Sequence, residues 1–310
     1  MMADNSPIAP PARIAFLGLG MMGLPMATRL LQAGFAVRGF DPAEAARAGF
    51  AAAGGTVCAS AAEAAAGSAA LITMLPDGKA VAAALLGDAP PLVGHLAPGA
   101  VAIDMSSSAP VGTRALAAPL AALGVGLVDA PVSGGVRRAR DGSLAIMAGG
   151  PEDLVARVRP VLQAMGGSIF ATGPVGSGHA MKALNNYVSA AGLLAACEAL
   201  RVGRAFGLDP SLMTDVLNAS TGRNNSTEVK LKPFVISETY ASGFSLALMA
   251  KDLRTADDLA RHLRVAAPLS HSVAALWRQA DAMLGAGADH TMIDRFLARL
   301  VDDGADADGS

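Results

Sequence analysis

The sequence predicts a mainly parallel, doubly wound α/β domain followed by an all-α domain. Three observations carry this. Short apolar runs alternate with alanine-rich stretches of helical length through the first half. The texture changes near Gly173-Pro174-Val175-Gly176, after which strand-like runs largely disappear. Long helical patterns fill the remainder. A chain of 310 residues is long enough for two domains, each burying its own core.

The strand-like runs are Ile14–Leu17, Ala36–Phe40, Ala70–Leu75, Val101–Asp104 and Gly126–Asp129. The alanine-rich segments Ala51–Ala53, Ala61–Ala70 and Ala80–Ala84 read as helices. Alanine is the best helix former, and small side chains let a helix pack closely on a sheet. The second half offers helices over Ala180–Phe206, Pro210–Ala219, Leu246–Leu263, Ala267–Leu284 and Thr291–Val301. The first of these starts at the seam and joins the domains. The expected boundaries are 13–173 and 174–301, with disordered tails at 1–12 and, acidic, at 302–310.

Composition excludes several classes. Hydrophobic residues make up 52% and charged residues only 16%, the opposite of a disordered chain. The 24 Lys and Arg are balanced by 26 Asp and Glu, so no basic excess exists for nucleic acid or an anionic membrane. The apolar run Ile14–Ala27 holds Gly18, Gly20, Gly23 and Pro25 and is shorter than the roughly 20 residues a bilayer needs. The start, Met1-Met2-Ala3-Asp4-Asn5, makes a poor signal peptide. Cys58 and Cys197 lie far apart, giving neither a disulfide framework nor a zinc site. His95, His179, His262, His271 and His290 show no metal-ligand spacing, so no metal is expected. These features together predict a cytoplasmic protein.

Gly18-Leu19-Gly20-Met21-Met22-Gly23 follows a strand and opens a helix. Gly18 permits the tight turn, Gly20 lets a pyrophosphate reach the backbone, and Gly23 lets helix and strand pack closely. The phosphates would meet free N–H groups at the positive end of the helix dipole. A second strand ends at Asp41, where a carboxylate binds adenosine ribose hydroxyls and repels a 2′-phosphate. The first domain is therefore expected to be a Rossmann domain that takes NAD rather than NADP. Arg38 and Arg47 are the residues that would favour NADP; as solvated surface arginines they would not.

Two further motifs carry chemistry. In Asp129-Ala130-Pro131-Val132-Ser133-Gly134-Gly135, a hydroxyl and a Gly-Gly pair could cradle a carboxylate, or the segment could be a simple flexible turn. In Gly176-Ser177-Gly178-His179-Ala180-Met181-Lys182-Ala183-Leu184-Asn185-Asn186, Lys182 and Asn186 share one helical face. A lysine there can take the hydroxyl proton of an alcohol being oxidised, and Asn186 can hold the hydroxyl without adding charge. By spacing alone, the reading as an exposed helix-start lysine prevails. His179 reads as a partly exposed helix-start histidine, and the cluster Arg137, Arg138 and Arg140 as a solvated face.

The glycine motif with Met26, the Asp129–Gly135 segment, the Gly176–Asn186 motif and Lys251-Asp252-Leu253 resemble, in this order, the β-hydroxyacid dehydrogenases. These include 3-hydroxyisobutyrate dehydrogenase and tartronate semialdehyde reductase. The resemblance covers residues 13 to about 300. It implies Lys182 and Asn186 as catalytic residues, Ser133, Gly134 and Gly135 as the carboxylate loop, and Lys251 as a lysine serving cofactor and substrate. It further implies Ser107 beside the nicotinamide ribose and Met74, Leu75 and Pro76 lining the adenosine side. A small carboxylate substrate and a homodimer or homotetramer follow. Imine reductases share the architecture but typically lack the catalytic lysine. A silent dinucleotide-binding scaffold would lack it too. Arg223-Asn224-Asn225-Ser226 is either part of the pocket or a helix cap.

Overall fold

In the computed structural model, residues 6–87 and 89–305 are described. The first half runs β1 (Arg13–Leu17), α1 (Gly23–Gln32), β2 (Ala36–Phe40), α2 (Glu44–Ala52), β3 (Thr56–Val57), α3 (Ala61–Ala65), β4 (Ala70–Thr73) and α4 (Gly78–Leu86). It continues with β5 (Val101–Asp104), α5 (Pro110–Ala122), β6 (Gly126–Asp129), β7 (Val132–Ser133), α6 (Gly135–Asp141), β8 (Leu144–Gly149), α7 (Glu152–Gln163) and β9 (Gly166–Gly173). Then come α8 (Ser177–Phe206), α9 (Pro210–Ala219), α10 (Asn225–Val229), α11 (Leu246–His262), α12 (Pro268–Leu284) and α13 (Ile293–Ala305). A π-helical stretch, Leu231–Ile236, follows α10.

The strands form one sheet in the order β3-β2-β1-β4-β5-β6-β8-β7, with β9 on β8. The first six are parallel and have the dinucleotide-binding order, which reverses between β1 and β4. All five expected strands are present. The runs of β1, β4, β5 and β6 are near-continuous because these strands are covered on both faces, whereas β2 alternates buried Val37 and Gly39 with half-buried Arg38 and Phe40. Ile14, Phe16, Ile72 and Ile103 pack into one core, and Ala15, Leu17, Leu71 and Ala102 into a second. The far edge departs from a parallel sheet, since β8 runs antiparallel to β6 and β7.

Three expectations need correction. The Ala61–Ala70 helix stops at Ala65, because Gly67 turns left-handed at φ 64° and Ala70 opens β4. Residues 6–12 are no frayed tail: Ile8 is buried in the core and its N–H donates to the Arg157 carbonyl at 2.8 Å. The acidic tail expected from 302 continues α13 as far as Ala305. The rest of both tails, 1–5 and 306–310, lies outside the described residues.

The first compact unit ends at Lys182 and the second begins at Ala183, inside α8. The second unit is helical around Trp277, Phe296, Leu193, Leu200, Leu231 and Leu253. No helix among the described residues is long and apolar enough to cross a membrane. Asp289 ties this unit together. It accepts hydrogen bonds from the Gly243 and Thr291 backbone N–H groups, each at 2.9 Å, and from the Ser242 and Thr291 hydroxyls. Burial alone would raise its carboxyl; these bonds and His290 outweigh it and hold the group well below its ordinary value of 3.8. A depressed carboxyl stabilises the fold fully above its unfolded value, and that stability is lost as pH falls through the folded one. Asp289→Ala should therefore cost about 1–3 kcal/mol at neutral pH. In thermal melts the gap to the parent chain should narrow as pH drops below 3.8; a gap that widens would contradict the assignment.

Candidate active site

Parallel strands deliver their C-terminal ends to one edge of the sheet, and the loops there are the natural ligand positions. Gly18–Gly23 follow β1, Asp41 follows β2, Met74–Pro76 follow β4 and Ser107 lies beyond β5. Gly18 adopts φ 93°, and a Cβ there would strike the Met74 carbonyl. A Cβ on Gly23 would strike the Gly18 carbonyl. These two glycines are required by the protein's own packing. Gly20 differs, because a Cβ there would meet nothing within 4 Å. Its missing side chain leaves an open cradle at the backbone, which fits a dinucleotide pyrophosphate. Leu19 is buried under the turn, whereas Met21 is 79% exposed.

Asp41 serves this turn directly. One carboxylate oxygen accepts from the Leu19 N–H and the other from the Ala43 N–H, each at 2.8 Å. Each oxygen keeps a lone pair for a ribose hydroxyl. Arg38 and Arg47 are not plain solvated arginines. Arg38 pairs with Glu63 at 3.2 Å, and Arg47 donates to the Asp41 and Pro42 carbonyls at 2.7 and 2.8 Å. Each guanidinium is thus anchored within the protein through one of its nitrogens.

A buried polar cluster fixes the start of α8. The Asp129 carboxylate, at the end of β6, accepts from the Gly176 N–H at 2.6 Å and the His179 N–H at 2.9 Å. Burial pushes this carboxyl above its ordinary value, opposed by His179 and these backbone donors. His179 is 1% exposed, not partly exposed as expected. Its ring bonds the Thr113 hydroxyl at 2.8 Å and the Ser106 carbonyl at 3.1 Å, and lies 3.7 Å from Asp104 and Asp129. Asp104 in turn accepts from Thr73, Ser106 and Ser108. A Cβ on Gly178 would strike the Met147 and Asp129 carbonyls, which explains the second glycine of Gly176-Ser177-Gly178. Lys182, half-buried, comes one turn after His179.

The Ser133–Gly135 segment leads from β7 into α6. Gly134 and Gly135 have φ 130° and 68°, a left-handed bend that favours glycine. Arg137, Arg138 and Arg140 are exposed, and the Arg138 stem covers Gly134.

The second unit assembles another cluster. Buried Asn186 donates from its amide to Asp252 at 2.6 Å, and Lys251 lies 3.4 Å from the other Asp252 oxygen. Asp252, 4% exposed, is a candidate site residue that sequence reasoning did not single out. Its signal was its place in Lys251-Asp252-Leu253. Of the open Arg223–Ser226 segment, Asn224 caps α10 by accepting from the Ser226 and Thr227 N–H groups. Arg223 is exposed beside Glu228. Among the described residues, no three His, Cys, Asp or Glu side chains gather to hold a metal.

A dinucleotide cradle on a parallel sheet, with a lysine–asparagine helix after it, defines a two-domain NAD-dependent dehydrogenase. Family comparisons agree. Residues 13–173 match the NAD binding domain of 6-phosphogluconate dehydrogenase. Residues 176–297 match the NAD-binding domain of NADP-dependent 3-hydroxyisobutyrate dehydrogenase. The chain is 40% identical over 278 residues to 3-hydroxyisobutyrate dehydrogenase of Pseudomonas aeruginosa, covering 87% of this chain and 93% of that one. It is 36% identical over 271 residues to 2-(hydroxymethyl)glutarate dehydrogenase of Eubacterium barkeri, covering 87% and 90%. The solved structure of Mycobacterium tuberculosis 3-hydroxyisobutyrate dehydrogenase with L-serine superposes with a TM-score of 0.85 at 37% identity, covering 92% and 98%. The chain belongs to the β-hydroxyacid dehydrogenases, NAD(P)-dependent oxidoreductases that act on the CH–OH group of hydroxy acids.

The open cradle at Gly20 gives a test. Gly20→Ala should change stability by less than about 0.5 kcal/mol. It should weaken NADH binding at least about tenfold, by loss of close backbone approach. Fluorescence titration beside a thermal melt reads both, and unaltered affinity would remove Gly20 from the cofactor site.

Proposed function

We propose that this chain oxidises a β-hydroxy acid with NAD, or reduces the matching semialdehyde, using Lys182 as proton acceptor and donor. The carrying observation is the buried clamp on Asp129 and His179, which sets Lys182 one turn further along a fixed helix start. Residues 13–173 hold the dinucleotide through Gly18, Leu19, Gly20, Met21, Met22, Gly23, Asp41, Met74, Leu75, Pro76 and Ser107. Residues 174–301 serve substrate binding and subunit contact. NAD, when bound, supplies the hydride acceptor.

The chain's own residues do the rest. Ser133, Gly134 and Gly135 receive the substrate carboxylate through a hydroxyl and backbone N–H groups. Asn186, its amide oriented by Asp252, holds the substrate hydroxyl. The neutral Lys182 amine takes the hydroxyl proton as the carbon is oxidised, and returns it in the reverse direction. Lys251, beside Asp252, contributes positive charge for the anionic substrate and the cofactor.

Lys182→Ala should lower kcat by about 10²–10⁴ with NAD affinity nearly unchanged. Steady-state kinetics on 3-hydroxyisobutyrate with NAD, beside NADH titration, reads this. Turnover equal to the parent enzyme would refute the role.

The same reading includes a homodimer or homotetramer in the cytoplasm. Supporting it, α8 and α9 expose Val188, Val202, Phe206, Leu212 and Val216, with Phe206 85% accessible. Cys58 and Cys197 are buried, unpaired thiols that suit a reducing compartment. Light scattering on the full chain should give at least twice the 30.9 kDa chain mass; a monomer at micromolar concentration would contradict it.

A further inference from the structure

Lys230 is a half-buried amine that the proposed chemistry does not use. It stands between α10 and the π-helical stretch Leu231–Ile236. Its ammonium donates to the Ser189 hydroxyl at 3.3 Å. Among the described residues no carboxylate pairs with it: every ion pair within 4.0 Å belongs to other cations. Burial pushes this amine below its ordinary value, with Asp289 opposing from farther off. A buried cation with one neutral partner is costly unless an anion joins it.

Its place on α8 is informative. Lys182, Asn186 and Ser189 follow one another at helical spacing along one face. Beyond Ser189 the same face turns apolar, with Leu193, Cys197 and Leu200 all buried in the second core. The Ser226 hydroxyl also reaches the Ser189 carbonyl, at 3.5 Å. Lys230 therefore meets α8 at the last polar position before the core. Ser189 lies three residues past Asn186, about 4.5 Å along the axis. A side chain of two methylenes and a carboxylate extends about 4 Å from the substrate carbon that bears it.

We propose that the Lys230 ammonium receives a second, distal carboxylate of the substrate, so that the preferred hydroxy acid is dicarboxylic. The assignment rests on the reading that Lys182 and Asn186 hold the reacting hydroxyl. Charge and reach both select for it. A neutral side chain of equal length would leave the ammonium unpaired, whereas a carboxylate forms a charge-assisted hydrogen bond.

The test uses the full-length enzyme with NAD and three hydroxymethyl acids. These are 3-hydroxyisobutyrate, 2-(hydroxymethyl)pentanoate and 2-(hydroxymethyl)glutarate, which share the hydroxyl and first carboxylate and differ only in the remaining arm. The parent enzyme should favour the glutarate in kcat/KM by at least about tenfold over the pentanoate. Lys230→Met should abolish that preference through KM, leaving kcat/KM on 3-hydroxyisobutyrate within about threefold. Lys230→Arg should keep much of it. A parallel melt with NAD and glutarate should show greater stabilisation of the parent than of Lys230→Met, a readout that needs no turnover. Oxidation of the monocarboxylates with no preference for the second carboxylate would overturn the Lys230 assignment alone. An equal loss on all three acids in a folded Lys230→Met variant would do the same, assigning Lys230 a structural role. No oxidation of any acid, with no glutarate-dependent stabilisation, would overturn the dehydrogenase reading and this one together.

Discussion

The buried Asp129 carboxylate, accepting the Gly176 and His179 N–H groups, is the interaction on which the rest depends. A helix start leaves N–H groups without partners, and here a strand end supplies the acceptor. The bond fixes where α8 begins and in which rotation about its axis. Lys182, one turn further along, inherits the setting. His179 adds a second lock, because its buried ring has partners on both nitrogens. The polar cluster is connected throughout, which keeps its burial tolerable.

The second unit repeats the logic with different groups. Asp252 orients the Asn186 amide and neutralises Lys251. In both units a carboxylate that touches no substrate in the proposed mechanism determines how an amide or amine is presented. This is the division expected where chemistry needs neutral or cationic groups in defined directions.

Much of the fold was legible in the sequence, for a physical reason. Strands β1, β4, β5 and β6 are covered on both sides, so they appear as near-continuous apolar runs. The β8–β9 edge was not legible. Most of β9 is exposed and it carries three glycines, and β7 has only two residues, so neither leaves a periodic trace. Ile8 escaped notice because a single apolar residue in a Pro-rich start has no period at all. At the site, Gly18 and Gly23 were legible because close backbone approach admits only glycine. His179, Asp252 and Lys230 were not. Each takes its meaning from a neighbour distant in sequence, and a lone charged residue on a helix otherwise reads as solvated.

The double duty of Asp41 has an evolutionary consequence. The same carboxylate braces the glycine turn at Leu19 and, in the proposed cofactor site, is the acceptor for the adenosine ribose. A lineage drifting toward a phosphorylated coenzyme cannot simply discard it, since the brace would go with the discrimination. It would first have to acquire another acceptor for the Leu19 amide, and then free Arg38 from Glu63 or Arg47 from its two carbonyls. Coenzyme choice in this chain is thus guarded by its architecture as well as by charge.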